Sequence, residues 1–292
     1  MPSSCLMFVL CGTLFSLLTM EVLGLSSATG DFTRLHPRII GGEEVRDRRR
    51  SPFNSMVALQ FEASTGAFTF CSAVMLTDRL LVTAGSCVSQ IAILSENAVT
   101  AVIGERDLQL TDFDEQRIGI ESIRIHPSFN NVTFDNNIAL LRLSRSATLS
   151  EYVKPIARFE VDPTACNDMD QSCLMVGWGP FADIDKPTNS RLPRSAAITV
   201  FGEIVTSLWS RFERGTDQPK GSLYAEAINP NRKACFFDWG GVVSCLRNGN
   251  YILRGVIGEL NCNSAVSLPI LVTDVPFYQT WIDQCTNDWS RC

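Results

Sequence analysis

Near neutral pH, proton transfer in bond-making chemistry falls most often to histidine, because its imidazole titrates there. This chain of 292 residues has two, His36 and His126. His36 lies in a stretch of Ser, Gly, Thr and Pro. His126 sits in Ile125-His126-Pro127-Ser128-Phe129, a turn-like setting for which a structural role is expected. The other chemically able groups are eleven cysteines, odd for a cytosolic protein and suited to disulfide staples in a secreted one. Asn131-Val132-Thr133 is the one N-glycosylation sequon, which marks Asn131 as a candidate glycosylation site on an exported surface. No metal or cofactor is expected.

Residues 6–20 form an uncharged apolar run followed by small residues around 24–28, which reads as a signal peptide over 1–24. The run is shorter than the roughly 20 apolar residues a bilayer needs. No other stretch is long enough, so a secreted, extracellular protein with no membrane span is expected. Residues 25–38 read as a flexible pro-segment. Losing Cys5 and Cys11 with the signal leaves nine cysteines, so at least one is free or joined to another chain. The net charge is −6, and removing residues 1–38 leaves it unchanged because Glu21 and Asp31 balance Arg34 and Arg38. That charge excludes an electrostatic case for nucleic-acid binding. The run Arg46, Arg48, Arg49, Arg50 reads as a solvated loop, with docking to an acidic surface or sulfated glycan as the alternative.

The elements that must position these groups are short. Apolar runs at 56–61, 80–83, 138–143, 174–176 and 252–257 are separated by Gly, Asn, Asp and Pro clusters, the pattern of an all-β sandwich or barrel. Helical spacing is found at 205–212 and 275–284. The chain is 45% hydrophobic, enough for a full core, and it has no repeat or interdomain linker. One domain over 39–285 with a tail at 286–292 is expected.

Arg38-Ile39-Ile40-Gly41-Gly42 resembles the activation site of trypsin-like zymogens, where cleavage after a basic residue frees an Ile amino terminus. Further landmarks follow in family order: Cys71, Val82-Thr83-Ala84-Gly85-Ser86-Cys87, Asp135-Asn136-Asn137-Ile138-Ala139-Leu140-Leu141, Gly177-Trp178-Gly179, residues 235–241, and Trp281-Ile282. The chain is therefore identified as resembling the trypsin-like (chymotrypsin-fold) serine proteases, and within them the inactive serine protease homologues abundant in insects. The resemblance implies two packed antiparallel six-stranded β-barrels with a C-terminal helix. It implies disulfides Cys71–Cys87, Cys173–Cys245 and Cys235–Cys262. Cys166, Cys285 and Cys292 are left over, and Cys166 is expected to pair with one of the other two.

Acyl transfer in that family needs a nucleophilic serine, a histidine to take its proton and a carboxylate to orient the histidine. The motifs put Ser86 at the histidine position, Asn137 at the acid position and Trp239 at the nucleophile position. None supplies the required chemistry, so no catalytic residue is expected. His126 matches a surface turn that precedes the acid segment in the family. The trypsin-type pocket acid corresponds to Lys233 and a pocket-wall glycine to Ile270; the Ser-Trp-Gly edge reads Val256-Ile257-Gly258. Phe237 replaces a glycine whose N–H lines the oxyanion hole.

Two residues of the activation machinery remain. In the family the freed terminus pairs with the acid before the nucleophile, here Ile39 with Asp238. Inherited packing is one reading of that survival; a switch, thrown when an upstream trypsin-like protease cuts after Arg38, is the other. The functional expectation is a non-catalytic regulator or adaptor in an extracellular immune or reproductive protease cascade, binding a protein partner. The alternatives are a disulfide-linked structural component of a secreted fluid and a residual hydrolase using Ser86 or a leftover cysteine.

Overall fold

The computed structural model describes residues 39, 42–63, 66–89, 98–158, 169–181, 188–189, 191–235, 238–259 and 269–292. Six strands close the first barrel: β2 (Met56–Ala63), β3 (Gly66–Met75), β4 (Leu80–Thr83), β5 (Val99–Ile103), β6 (Gln116–Ile125) and β7 (Ala139–Leu143), in the order β2-β3-β4-β7-β6-β5. The short β1 (Glu43–Glu44) precedes them.

The second barrel follows with β8 (Met169–Gly177), a two-stranded ribbon of β9 (Pro180–Phe181) and β10 (Thr188–Asn189), then β11 (Arg194–Phe201), β12 (Ser222–Ala227), β13 (Val242–Arg247), β14 (Asn250–Glu259) and β15 (Ile270–Asp274). The sheet runs β11-β12-β15-β14-β13-β8 and closes through an antiparallel β8–β11 pairing, while β1 pairs with the Arg194–Ser195 end of β11, which β12 does not reach. Both barrels and the C-terminal helix agree with the expected architecture.

The period-2 alternation of each strand explains how two barrels share one molecule. On β2, Val57 and Leu59 point into the first barrel beside Met75, Leu81 and Leu141. Their neighbours Met56 and Ala58 point out, into a core formed with Val176, Trp178, Val242 and Val256 of the second barrel. The chain's runs are therefore apolar on both faces wherever one barrel leans on the other.

Among the described residues three α-helices complete the fold: α1 (Gly85–Val88), α2 (Glu203–Arg214) and α3 (Gln279–Asn287). α2 contains the expected 205–212 and ends at Gly215, whose left-handed φ of 66° is the conformation a side chain resists. The C-terminal helix starts later than expected. Pro276 leads a 3-10 turn, Val275–Tyr278, and the α-helical hydrogen bonding begins at Gln279.

Disulfides join Cys71 to Cys87, Cys173 to Cys245 and Cys285 to Cys292. The last corrects the expectation that Cys166 would take one of the C-terminal pair: the tail folds back through a turn at Trp289–Arg291, and its two cysteines meet each other. Trp289 lies against the guanidinium groups of Arg124 and Arg142 at 5.4 and 5.8 Å, which holds the tail on the first barrel. Cys235 is disulfide-bonded; Cys166 and Cys262 fall outside the described residues. The arginine run is not one solvated face. Arg49 and Arg50 pair with Asp47 in solvent, but Arg48 is buried and donates to the carbonyls of Gly104 and Glu105 at 2.6 and 2.8 Å. Among the described residues no helix is long and apolar enough to cross a membrane.

Candidate functional site between the barrels

Ser86 is placed by α1, which the chain enters directly from β4 and which the Cys71–Cys87 disulfide ties to β3. Asn137 comes from the turn before β7. There Phe134 and Asn136 take positive φ values of 62° and 53°. Asn136 holds the turn by donating its N–H to Lys220 O at 2.9 Å and its amide to Ser128 O at 2.9 Å.

These two segments of the first barrel meet the second barrel through hydrogen bonds. The Ser86 N–H donates to Asn137 Oδ1 at 2.7 Å, and Asn137 Nδ2 donates to Gly258 O at 3.0 Å and to Ser86 Oγ at 3.2 Å. Ser86 Oγ donates to Gly258 O at 3.3 Å, and Thr273 Oγ1 to Asn137 O at 2.6 Å. Each polar atom of the Asn137 side chain is thereby used, and Asn137 is buried. No group in the network accepts a proton near neutral pH; it can hold and orient, and it is neutral throughout.

Trp239 stands beside it. Its carbonyl accepts from Ser72 N–H at 2.8 Å and lies 3.9 Å from Cys87 Sγ, and its half-buried ring packs on the first barrel's core. Gly240 follows at φ +74°, where a Cβ would fall 2.0 Å from Ser72 O, so only glycine lets this segment cross so close to β3.

Asp238 is fully buried. Its carboxylate accepts from Gly179 N–H at 2.8 Å and Cys235 N–H at 2.9 Å. Among the described residues no cation pairs with it. Burial therefore dominates and pushes its pKa up to about 7, against the two backbone donors that favour the ionised form. Gly177 and Gly179 make room for it: a Cβ on either would land 2.0 and 2.1 Å from its oxygens.

The trypsin family model matches residues 39–282. The chain belongs to the trypsin family. Among individual proteins it is similar to chymotrypsin-like elastase family member 1 of Rattus norvegicus, 28% identical over 88% of this chain and 92% of the relative. It is also similar to trypsin-1 of Salmo salar, 28% identical over 84% and 87%, and to trypsin-1 of Astacus astacus, 27% identical over 74% and 87%.

Against that family background the other expected site residues can be located. Ser86, Asn137 and Trp239 are brought together. Gly258 joins them: its carbonyl is the shared acceptor of Ser86 and Asn137. Ile270 is buried in the second barrel's core and Lys233 is half-buried. Ile39 is buried in the same core with Met175, Ala234 and Val243, while Arg38 and Phe237 fall outside the described residues.

Asn131 is exposed in the turn 131–133. His126 packs against the C-terminal segment. Its Nδ1 accepts from Ser128 N–H at 3.2 Å, its ring lies 5.4 and 5.0 Å from those of Tyr278 and Trp281, and burial, then the Lys220 charge, lowers its pKa.

Two features escaped the sequence. Gly177 and Gly179 were legible as a landmark but not as the cradle of Asp238. Glu105 belongs to no motif of the sequence, yet it is buried with Oε1 unpaired, and desolvation, followed by the charges of Glu115 and Asp112, raises its pKa to about 7.

Proposed function

We propose that this chain is a secreted trypsin-family homologue that does not cut peptide bonds and acts by binding, as a regulator or adaptor in an extracellular protease cascade. The observation that carries the proposal is the neutral Ser86–Asn137–Gly258 network. The resemblance puts the proton acceptor and its orienting acid where this chain has a hydroxyl and an amide, and the nucleophile where it has the indole of Trp239. An amide does not stabilise an imidazolium, and an indole has no nucleophilic oxygen.

Cleavage after Arg38 is proposed as the switch. It would create an ammonium on Ile39, whose side chain already lies in the second barrel's core, and Asp238 is a buried carboxylate with two backbone donors and, among the described residues, no cation. An upstream trypsin-like protease is the proposed cutter, and export is supported by the apolar N-terminal run and the disulfides.

The test has two arms. Protein cleaved after Arg38 is expected to show no labelling by a fluorophosphonate and no hydrolysis of a peptide-substrate panel; labelling lost in Ser86→Ala would sink the proposal. Affinity capture from the native extracellular fluid, with intact and cleaved protein side by side, is expected to yield a partner held by the cleaved form. Identical captures would reduce Ile39 and Asp238 to inherited packing. A disulfide-linked structural role is the second reading, favoured by the cysteine left over once Cys285 and Cys292 pair. A purely monomeric band on non-reducing electrophoresis removes it.

A further inference from the structure

The turn that leads into Asn137 also carries the sequon Asn131-Val132-Thr133, two residues after Phe129. Phe129, Asn130 and Asn131 line an open groove of about 480 Å³ together with Ser128 and, from the end of α1, Ser89, a volume in the range of small-ligand sites. The protein's own bonds build this turn. Asn130 Oδ1 accepts from the N–H groups of Val132 and Thr133 at 2.9 and 3.2 Å, and Asn130 O accepts from Phe134 N–H at 2.8 Å. Asn130 N–H donates to Asp135 O at 3.0 Å, and Phe129 N–H to His126 O at 2.9 Å. Phe129 is half-buried, while Asn131, Val132 and Thr133 are exposed.

We propose that Asn131 carries an N-linked glycan whose first sugar, an N-acetylhexosamine, lies in this groove with its C–H face on the Phe129 ring. The sugar is supplied as a lipid-linked diphosphate oligosaccharide. Asn131 Nδ2 forms a bond to its C1, the C1–O bond to the diphosphate breaks, and one amide proton passes to the departing lipid diphosphate.

Three observations select this seat. Asn131 itself lines the groove, so the sugar is tethered at its site and loses little freedom on settling there. The face of an aromatic ring attracts weakly positive C–H groups of a sugar as it attracts the edge of another ring. The remaining lining, Ser89, Ser128 and Asn130, offers hydroxyls and an amide to a sugar whose own hydroxyl and acetamido groups donate and accept. Ser89 Oγ donates to Ser86 O at 3.3 Å, so a sugar in the groove stands beside the Ser86–Asn137 network and narrows the approach to it. The glycan requires the proposed export of the chain and is independent of the proposed loss of catalysis.

The test expresses the full chain, with its own N-terminal run, in eukaryotic cells and recovers both medium and lysate. Mass spectrometry is expected to find the chain in the medium with Asn131 occupied. Hydrogen exchange is then compared for chain bearing the whole glycan, chain trimmed enzymatically to the first sugar, and Asn131→Gln. The amides of residues 86–89 and 128–131 are expected to exchange at least about threefold faster in Asn131→Gln than in the two glycosylated forms, which match each other. Phe129→Val is expected to remove that protection from the trimmed chain. Unmodified chain held inside the cells sinks the export reading and the glycan together, whereas secreted chain with a bare Asn131 overturns the glycan alone. Equal exchange in the trimmed and Asn131→Gln chains overturns the seat, since it would mean a sugar that points into solvent.

Discussion

Asp238 and the Ser86–Asn137 pair are neighbours in the fold with opposite electrostatics. Asp238 is a carboxylate taken out of water with two backbone donors and, among the described residues, no cation, and its pKa is pushed up to about 7. Ser86 and Asn137 form a neutral network whose polar atoms already have partners. The difference teaches where the molecule can respond. A buried carboxyl whose pKa burial raises is sensitive to pH, whereas a closed neutral network is not.

The sharpest way to break that comparison is a pair of glycine substitutions. Gly179→Ala would drive a Cβ to 2.1 Å from Asp238 Oδ2, whereas Gly85→Ala meets Asn137 Oδ1 and Ile138 at 3.3 Å. The first is expected to cost about 4 kcal/mol or more and the second under about 1 kcal/mol, read from denaturant midpoints. Equal losses would mean that the Asp238 cradle is no tighter than the Ser86 region.

The next largest effect is on pH. Because the folded-state pKa of Asp238 lies above its unfolded value, the folded chain binds the extra proton. Its contribution to stability is then fully present below the ordinary carboxylate range and is lost as pH rises through about 7. The decline is expected to reach at most about 4 kcal/mol in the intact chain. Glu105 slopes the same way, so the quantity to measure is the difference in unfolding free energy between wild type and Asp238→Asn across pH 4 to 8. A pH-independent difference refutes the assignment, and a smaller decline after cleavage at Arg38 is the signature of a new Ile39–Asp238 pair.

Asn137→Asp comes third. It removes both Nδ2 donations and sets a carboxylate oxygen against Gly258 O, now 3.0 Å from the amide, for an expected loss of about 2 to 3 kcal/mol by chemical denaturation. Ser86→Ala, at a half-buried hydroxyl, is expected to cost only about 0.5 to 1 kcal/mol. A larger loss from Ser86 than from Asn137 would reverse the view that the amide anchors the network.

Much of this was legible in the chain. The strand at 80–83 was readable because Leu80, Leu81 and Val82 run together ahead of a β-branched threonine and all four are buried, and α2 because its core-facing positions recur at helical spacing. The cysteine spacing could not pair Cys285 with Cys292, since a seven-residue separation is bridged only if the tail turns back. In sequence Arg48 is one of four like neighbours, and only the carbonyls of Gly104 and Glu105 distinguish it from Arg49.

By itself the sequence determined which side chains occupy the site, that histidine is absent from it, and where the apolar runs fall, because those are properties of residue type and local spacing. Tertiary structure alone decided that Gly258 serves Ser86 and Asn137, that Asp238 lies in the space left by Gly177 and Gly179, and that Glu105 is buried. Those contacts join residues 172, 121 and 59 positions apart, and over such separations burial and partners are set by how two closed barrels meet.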